Sequence, residues 1–369
     1  SPTPTPGWAP LGPVLSGPPG TTEFGFKAVL ALDVMTIAIS DPSFRKDRGL
    51  IQVFSLDNDQ WVQMGQDIVG GAEGDRFGAL LDISHDGTTI ASSASDGNGY
   101  VRVLRYVETQ WMQLGQDLET NTSFGYIMDL SGDGSCLALA SNDTAPNGSS
   151  RVYKFPKSPT PESTWIQQGQ DIPFQPYPRA LALSDDGQRI SFFVYGGPRG
   201  VQYGTASFAA GTWSVAFFAL VRDVDYQRSL LEPVAAFSRS GDGYVVAFFV
   251  RGDDDDMKQF VKVGGLESVT LEEPDTERSL TRQMYVADDD VPVAMSGNGF
   301  LVAFLSKDTN NRDNTQVDIR DYRPGDYFLF PTGTLPPAHQ GGRMSFSFNH
   351  DGTQFALGGG NVVEVFIRQ

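Results

Sequence analysis

WVQMGQD (61–67) is written again as WMQLGQD (111–117) and as WIQQGQD (165–171). Each copy is followed by an apolar stretch, a Ser/Asn-x-Asp/Asn-Gly turn and a second apolar stretch. The turns read SHDG (84–87), SGDG (131–134), SDDG (184–187), SGDG (240–243), SGNG (296–299) and NHDG (349–352). Their final glycines are 47, 53, 56, 56 and 53 residues apart, a regularity that marks a repeat protein. A seventh copy lies upstream in AVLALDVMTIAIS (28–40), where two apolar stretches meet at Asp33 across a turn that reads as shortened.

Each unit of about 50 residues reads as four short strands. In the second unit these are ALLDIS, TTIASSA, the alternating YVRVLRYV and the Trp-bearing QWMQLGQDL. Asp-Gly and Asn-Gly tolerate positive φ and close tight hairpins between twisted strands. The first two strands are almost continuously apolar and small, the third alternates and the fourth is polar apart from its Trp. That gradient from buried to half-exposed describes a blade of a β-propeller. The expected fold is therefore all-β, a seven-bladed β-propeller of four-stranded antiparallel blades.

The chain ends test this. After the last turn come only QFALGGG and NVVEVFIRQ, one strand short of a blade, whereas the chain opens on WAPLGPVL (8–15), a fourth-strand phrase with no blade before it. The N-terminal strand is expected to complete the last blade and leave no open edge. All five tryptophans, Trp8, Trp61, Trp111, Trp165 and Trp213, then fall in fourth strands, with ESVTLEE (267–273) and DYFLFPTG (326–333) taking that place in blades five and six. Residues 1–6, SPTPTP, read as an extended Pro/Thr linker and 7–369 as the propeller; such a linker is expected beside a signal peptide or further domains.

Composition narrows the partners. With 27 Lys plus Arg against 45 Asp plus Glu, the net charge of −18 repels nucleic acid and anionic lipid, and no apolar run approaches the roughly 20 residues of a membrane helix. The single Cys136, inside SCLALA, excludes an intrachain disulfide or Cys-rich zinc site and reads as core.

The pattern FGALLDISHDGTTIA (77–91), repeated as FGYIMDLSGDGSCLA (124–138), resembles seven-bladed propellers of the WD-repeat and TolB-like kind. Joined to W-x-Q-x-G-x-D-I, it is similar to repeats of secreted or surface proteins of diatoms and other microbes. The resemblance implies a fold, and a function only in outline, because propellers of this group bind proteins, glycans or small ligands and some are enzymes. Regular Gly-His and Trp-Asp pairs of WD repeats are missing. So is the multi-ligand acidic loop of calcium-binding FG-GAP propellers, so the SxDG turns read as structural.

Few residues carry catalytic potential. His85 and His350 share one turn position that also accepts Gly or Asp, which predicts solvent exposure; only His339, in PPAHQGG, is left for a Ser-His-Asp triad. Function is expected on the face opposite the hairpin turns, where second-to-third strand loops and blade connections gather. The candidate ligand-binding residues there are Arg45, Asp96, Tyr195, Arg199, Arg251, Asp253, Lys307, Asp308 and Arg312. Asp253 to Asp256 supply oxygen ligands that calcium could use, although no cofactor is required, and Asn121, Asn142 and Asn147 begin glycosylation sequons. The expectation is a non-catalytic extracellular or cell-surface recognition module, a monomeric domain of a larger protein, binding a protein or a glycan. The alternatives are a glycan-active hydrolase or lyase working with carboxylates at the channel mouth, and an architectural domain of an adhesive or cell-wall protein.

Overall fold

A computed structural model describes residues 7–33, 35–94, 99–119, 124–141, 148–160, 162–174, 178–195, 201–219, 234–240, 243–251, 257–265, 293–296, 301–307, 315–323, 326–335 and 344–369. Seven antiparallel sheets form seven blades. The first strands of successive blades touch one another all the way round, and that of blade seven (Ser345–Phe348) meets that of blade one (Lys27–Leu30), so the ring closes.

Blade two runs Phe77–Ile83, Thr89–Ala94, Tyr100–Val107 and Gln110–Gln113, as its sequence predicts. Its outer strand is broken, however: Leu118–Glu119 resumes pairing with the far half of the third strand. The same break divides the outer strands of blades one, three and seven. Gly-Gln-Asp therefore sits inside the outer strand and does not simply lead to the next blade. In blade one the turn between Lys27–Leu30 and Thr36–Asp41 has the same length as that between Ile83 and Thr89, so it is not shortened; its sequence keeps an aspartate, Asp33, at the place of Asp86 and lacks the Ser and the Gly. Asp326–Leu335 is the outer strand of blade six, while 267–273 lies outside the described residues.

Trp8 pairs with Arg368 and Pro10 with Phe366, which places the N-terminal strand on the outer edge of blade seven. Leu15 and Ser16 continue the pairing. Trp8 also packs on Phe348 and Phe355, at ring-centroid distances of 6.2 and 6.0 Å.

The core lies between blades. Ala38, Ile51 and Val53 of blade one close on Phe77, Leu81, Ile90 and Trp111 of blade two, and equivalent clusters fill the joints two/three, three/four, six/seven and seven/one. Small Ala and Ser on the second strands, buried throughout Thr89–Ala94 and Cys136–Ser141, let neighbouring sheets approach. Cys136 is buried in the joint of blades three and four.

Every polar residue of the recurrent phrase is hydrogen-bonded, the second glutamine across a joint and the first glutamine and the aspartate within their own blade. Gln66 donates to the backbone oxygen of Trp111 (2.7 Å) and accepts from its N–H (3.0 Å), while the Trp111 indole donates to Met64 O (2.7 Å). Gln116 with Trp165 and Gln170 with Trp213 repeat the clasp at the next two joints. The closing aspartate is held within its own blade: Asp67 by Gln52 and Gln63, Asp117 by Arg102 and Gln113, Asp171 by Arg151 and Gln167.

Candidate functional site

The two ends of the ring differ chemically. At the hairpin end, the Ser-x-Asp-Gly residues of blades two, three and four bond within the fold. Ser84 Oγ donates to Asp86 (2.6 Å) and accepts from Thr89 N (2.9 Å), and Asp86 also accepts from Thr88 N (2.9 Å). Ser131 with Asp133 and Ser184 with Asp186 do the same. Burial opposes ionisation of Asp86 and Asp133, but the hydroxyl and amide donors outweigh it and hold both carboxyls below the usual range. Backbone bonds Asp33 N to His85 O and His85 N to Gly132 O then link successive turns around the channel mouth.

His85 departs from expectation here. Its side chain is only 15% exposed and reaches over Gly132 to Asp185, with Nε2 3.4 Å from Oδ1. The turn position accepts Gly because the ring of the preceding blade needs that space, not because the site is open to solvent. His350, half-buried, donates its backbone N–H to Leu32 O.

At the opposite end, the loop face, blades seven, one and two meet around a network of charged side chains. Asp41 ends the apolar strand Thr36–Asp41 and is fully buried, yet each of its oxygens has donors: Thr22 N and Glu23 N at Oδ2, Ser43 N and Ser43 Oγ at Oδ1. It thereby pins the blade connection at 22–26 to the second-to-third strand loop of blade one. Arg76 ties three segments together through Glu23 (3.2 Å) and Asp47 (3.0 Å).

Within that loop Arg45, Lys46 and Asp47 stand at φ 48°, 61° and 59°, three successive non-glycine residues in the left-handed region. Such a conformation costs about 1–2 kcal/mol per residue and persists only where surroundings hold it. Here Gly74 N donates to Lys46 O, Arg76 N to Asp47 O and Arg48 N to Phe44 O, while Arg48 Nη2 reaches Gly71 O. Lys46 pairs with Glu73 at 3.2 Å, a solvent-exposed contact of little energetic weight. Arg45 is exposed, its guanidinium carbon 4.9 Å from the ring centroid of buried Phe44. Next to this turn, Tyr100 donates to Asp75 (3.2 Å) and accepts from Gly71 N (3.1 Å), and burial pushes its hydroxyl pKa up.

Of the sequence-derived candidates, Arg45 lies in this turn. Tyr195, Arg251 and Lys307 are the last residues of the second strands of blades four, five and six, so the topology delivers all three to the loop face. Asp96, Arg199, Asp253, Asp308, Arg312 and His339, and the sequon residues Asn121, Asn142 and Asn147, lie outside the described residues. The clamp of Glu23, Asp41, Asp47 and Arg76 was not anticipated. Its one sequence signal is an aspartate closing an otherwise apolar strand.

No family model and no curated protein matches the chain. Solved structures do: the β-propeller domain of Cps50 (Swd1) from Myceliophteria thermophila superposes with a TM-score of 0.61 at 10% identity, over 96% of this chain and 99% of that one. At that identity the likeness establishes architecture, and the chain has a WD-repeat-like β-propeller fold.

Proposed function

We propose that this chain is a non-catalytic recognition module that binds a protein through the loop face of the propeller, in an extracellular or cell-surface setting. The inequality of the two ends of the ring carries this assignment. In blades two, three and four the hairpin end commits its serine hydroxyls, the aspartates they bond and the turn amides to internal bonds. The loop face holds dissimilar connections, and blade one there presents an exposed, clamped cationic turn. A rigid scaffold carrying variable loops is the usual arrangement for binding, and charged groups at a surface rim favour a protein partner of complementary charge. The Pro/Thr segment and the three sequons support the extracellular setting; glycans on blades two and three would leave blades one and four to six for contact.

The test compares substitutions at the two ends. The domain is screened against a protein library displayed on yeast and against a glycan array, with and without calcium. Binding of a displayed protein should survive Gln188→Ala at the hairpin end and be lost with Arg251→Ala or Lys307→Ala. Binding through the hairpin end, or substrate turnover abolished by one loop-face substitution, would overturn the assignment.

A further inference from the structure

We infer that the turn at 44–48 is a carboxylate-reading contact, and that the segment it receives is a short acidic stretch of a protein. This rests on the loop face being the binding surface. The backbone gives the first reason. Three adjacent left-handed residues would be easier to build from Gly or Asn, yet Arg, Lys and Asp stand there, held by the bonds to Gly74, Arg76 and Gly71.

The side chains give the second. Lys46 is engaged by Glu73, Arg48 by Gly71 O, and Arg76 by Glu23 and Asp47. Arg45 alone among these four cations makes no hydrogen bond or ion pair with the described residues. Its guanidinium carbon lies 4.9 Å from the Phe44 ring centroid, which leaves its planar donor fork available to two carboxylate oxygens. The third reason is charge. On a chain of net charge −18, long polyanions meet general repulsion, whereas one or two carboxylates on a short segment can reach a local cation.

The domain labelled with [15N]arginine is titrated with a fluorescein-free tetraglutamate peptide while its Arg Nε–Hε resonances are followed by NMR. A saturable shift of one resonance, absent from the Arg45→Gln spectrum and not produced by tetraglutamine, is expected, together with at least a tenfold weaker affinity of that variant. Lys157→Gln, an exposed charge change elsewhere, should bind like wild type. Arg45→Gly separates recognition from scaffolding, because Gly accepts φ 48° without strain: its Tm should be unchanged or higher while binding is lost. Equal tetraglutamate binding by wild type and Arg45→Gln, a lowered Tm of Arg45→Gly that accounts for the loss, or tighter binding of a heparin oligosaccharide at Arg45 would each overturn the inference. Loop-face protein binding that is indifferent to Arg45 would remove this contact and leave the recognition role standing.

Discussion

Gly49 shows how narrowly one residue can be specified. Its backbone bridges to Phe77 of blade two, and a Cβ on it would lie 2.0 Å from Phe77 O and 2.6 Å from Phe77 N, at φ +90°. Both obstacles are backbone atoms, so neither can turn aside as a flexible side chain could. Gly49→Ala is expected to destabilise by about 3 kcal/mol or more, measured by denaturant unfolding. A loss under about 1 kcal/mol would mean that the first two blades do not approach so closely. At the same scale, Asp133 and Asp351 have pKa values held down by neighbouring hydroxyls and amides against the opposing effect of burial. A depressed folded pKa contributes stability that is present above the unfolded value and lost as pH falls through the folded one. Tm should therefore be level from about pH 5 upward and decline below about pH 4. Asp133→Asn should lower Tm at neutral pH and reduce the acid decline.

Among elements, the broken outer strand explains the recurrent phrase. The break at Gly65 takes φ +73° and leaves its Cα 's missing Cβ at 3.0 Å from Trp111 Cδ1, so the next blade's indole lies directly against it. The glutamine that follows spans the joint to both backbone groups of that Trp. Gln66→Ala should cost about 1–2 kcal/mol, two hydrogen bonds' worth. A double-mutant cycle with Gln116→Ala should be near additive, because the two clasps serve different joints. Strong coupling would show instead that the clasps act as one belt. At the closing joint the phrase reads WAPLGPV, and prolines 10 and 13 replace both glutamines. There Trp61 keeps only the indole bond to Leu11 O, at 3.2 Å, from the corresponding set.

For the whole molecule, ring closure depends on a strand from the opposite end of the chain. Residues 8–16 contribute Leu11 and Leu15 to the joint of blades seven and one, and Trp8 to the joint of blades six and seven. Removing residues 1–16 withdraws these side chains and exposes the edge of Val362–Arg368. Burial of three such side chains is worth about 5 kcal/mol in all, so the truncated chain should melt far below the intact one or fail to fold. An unchanged melting temperature would falsify closure by this strand.

Blade number, strand order and the closing strand were all legible in the sequence, because each is written in local patterns: the Trp phrase, the Ser-x-Asp-Gly turn and the incomplete last unit. The structural role of the turns was legible too, since a Ser and an Asp two residues apart in a tight turn can bond to each other, as Ser84 does to Asp86 and Ser131 to Asp133. Three things were decided only by tertiary structure. His85 meets Asp185 across Gly132, residues of three different blades that no periodicity connects. Asp41, Glu23 and Arg76 form one clamp around the left-handed turn, although each alone resembles an ordinary surface charge. The identical-looking Gly-Gln-Asp triplets became joints because the ring sets each against the Trp one blade on. A repeat records what each blade does for itself; contacts between blades depend on the radius and closure of the ring, which exist only once all seven have packed.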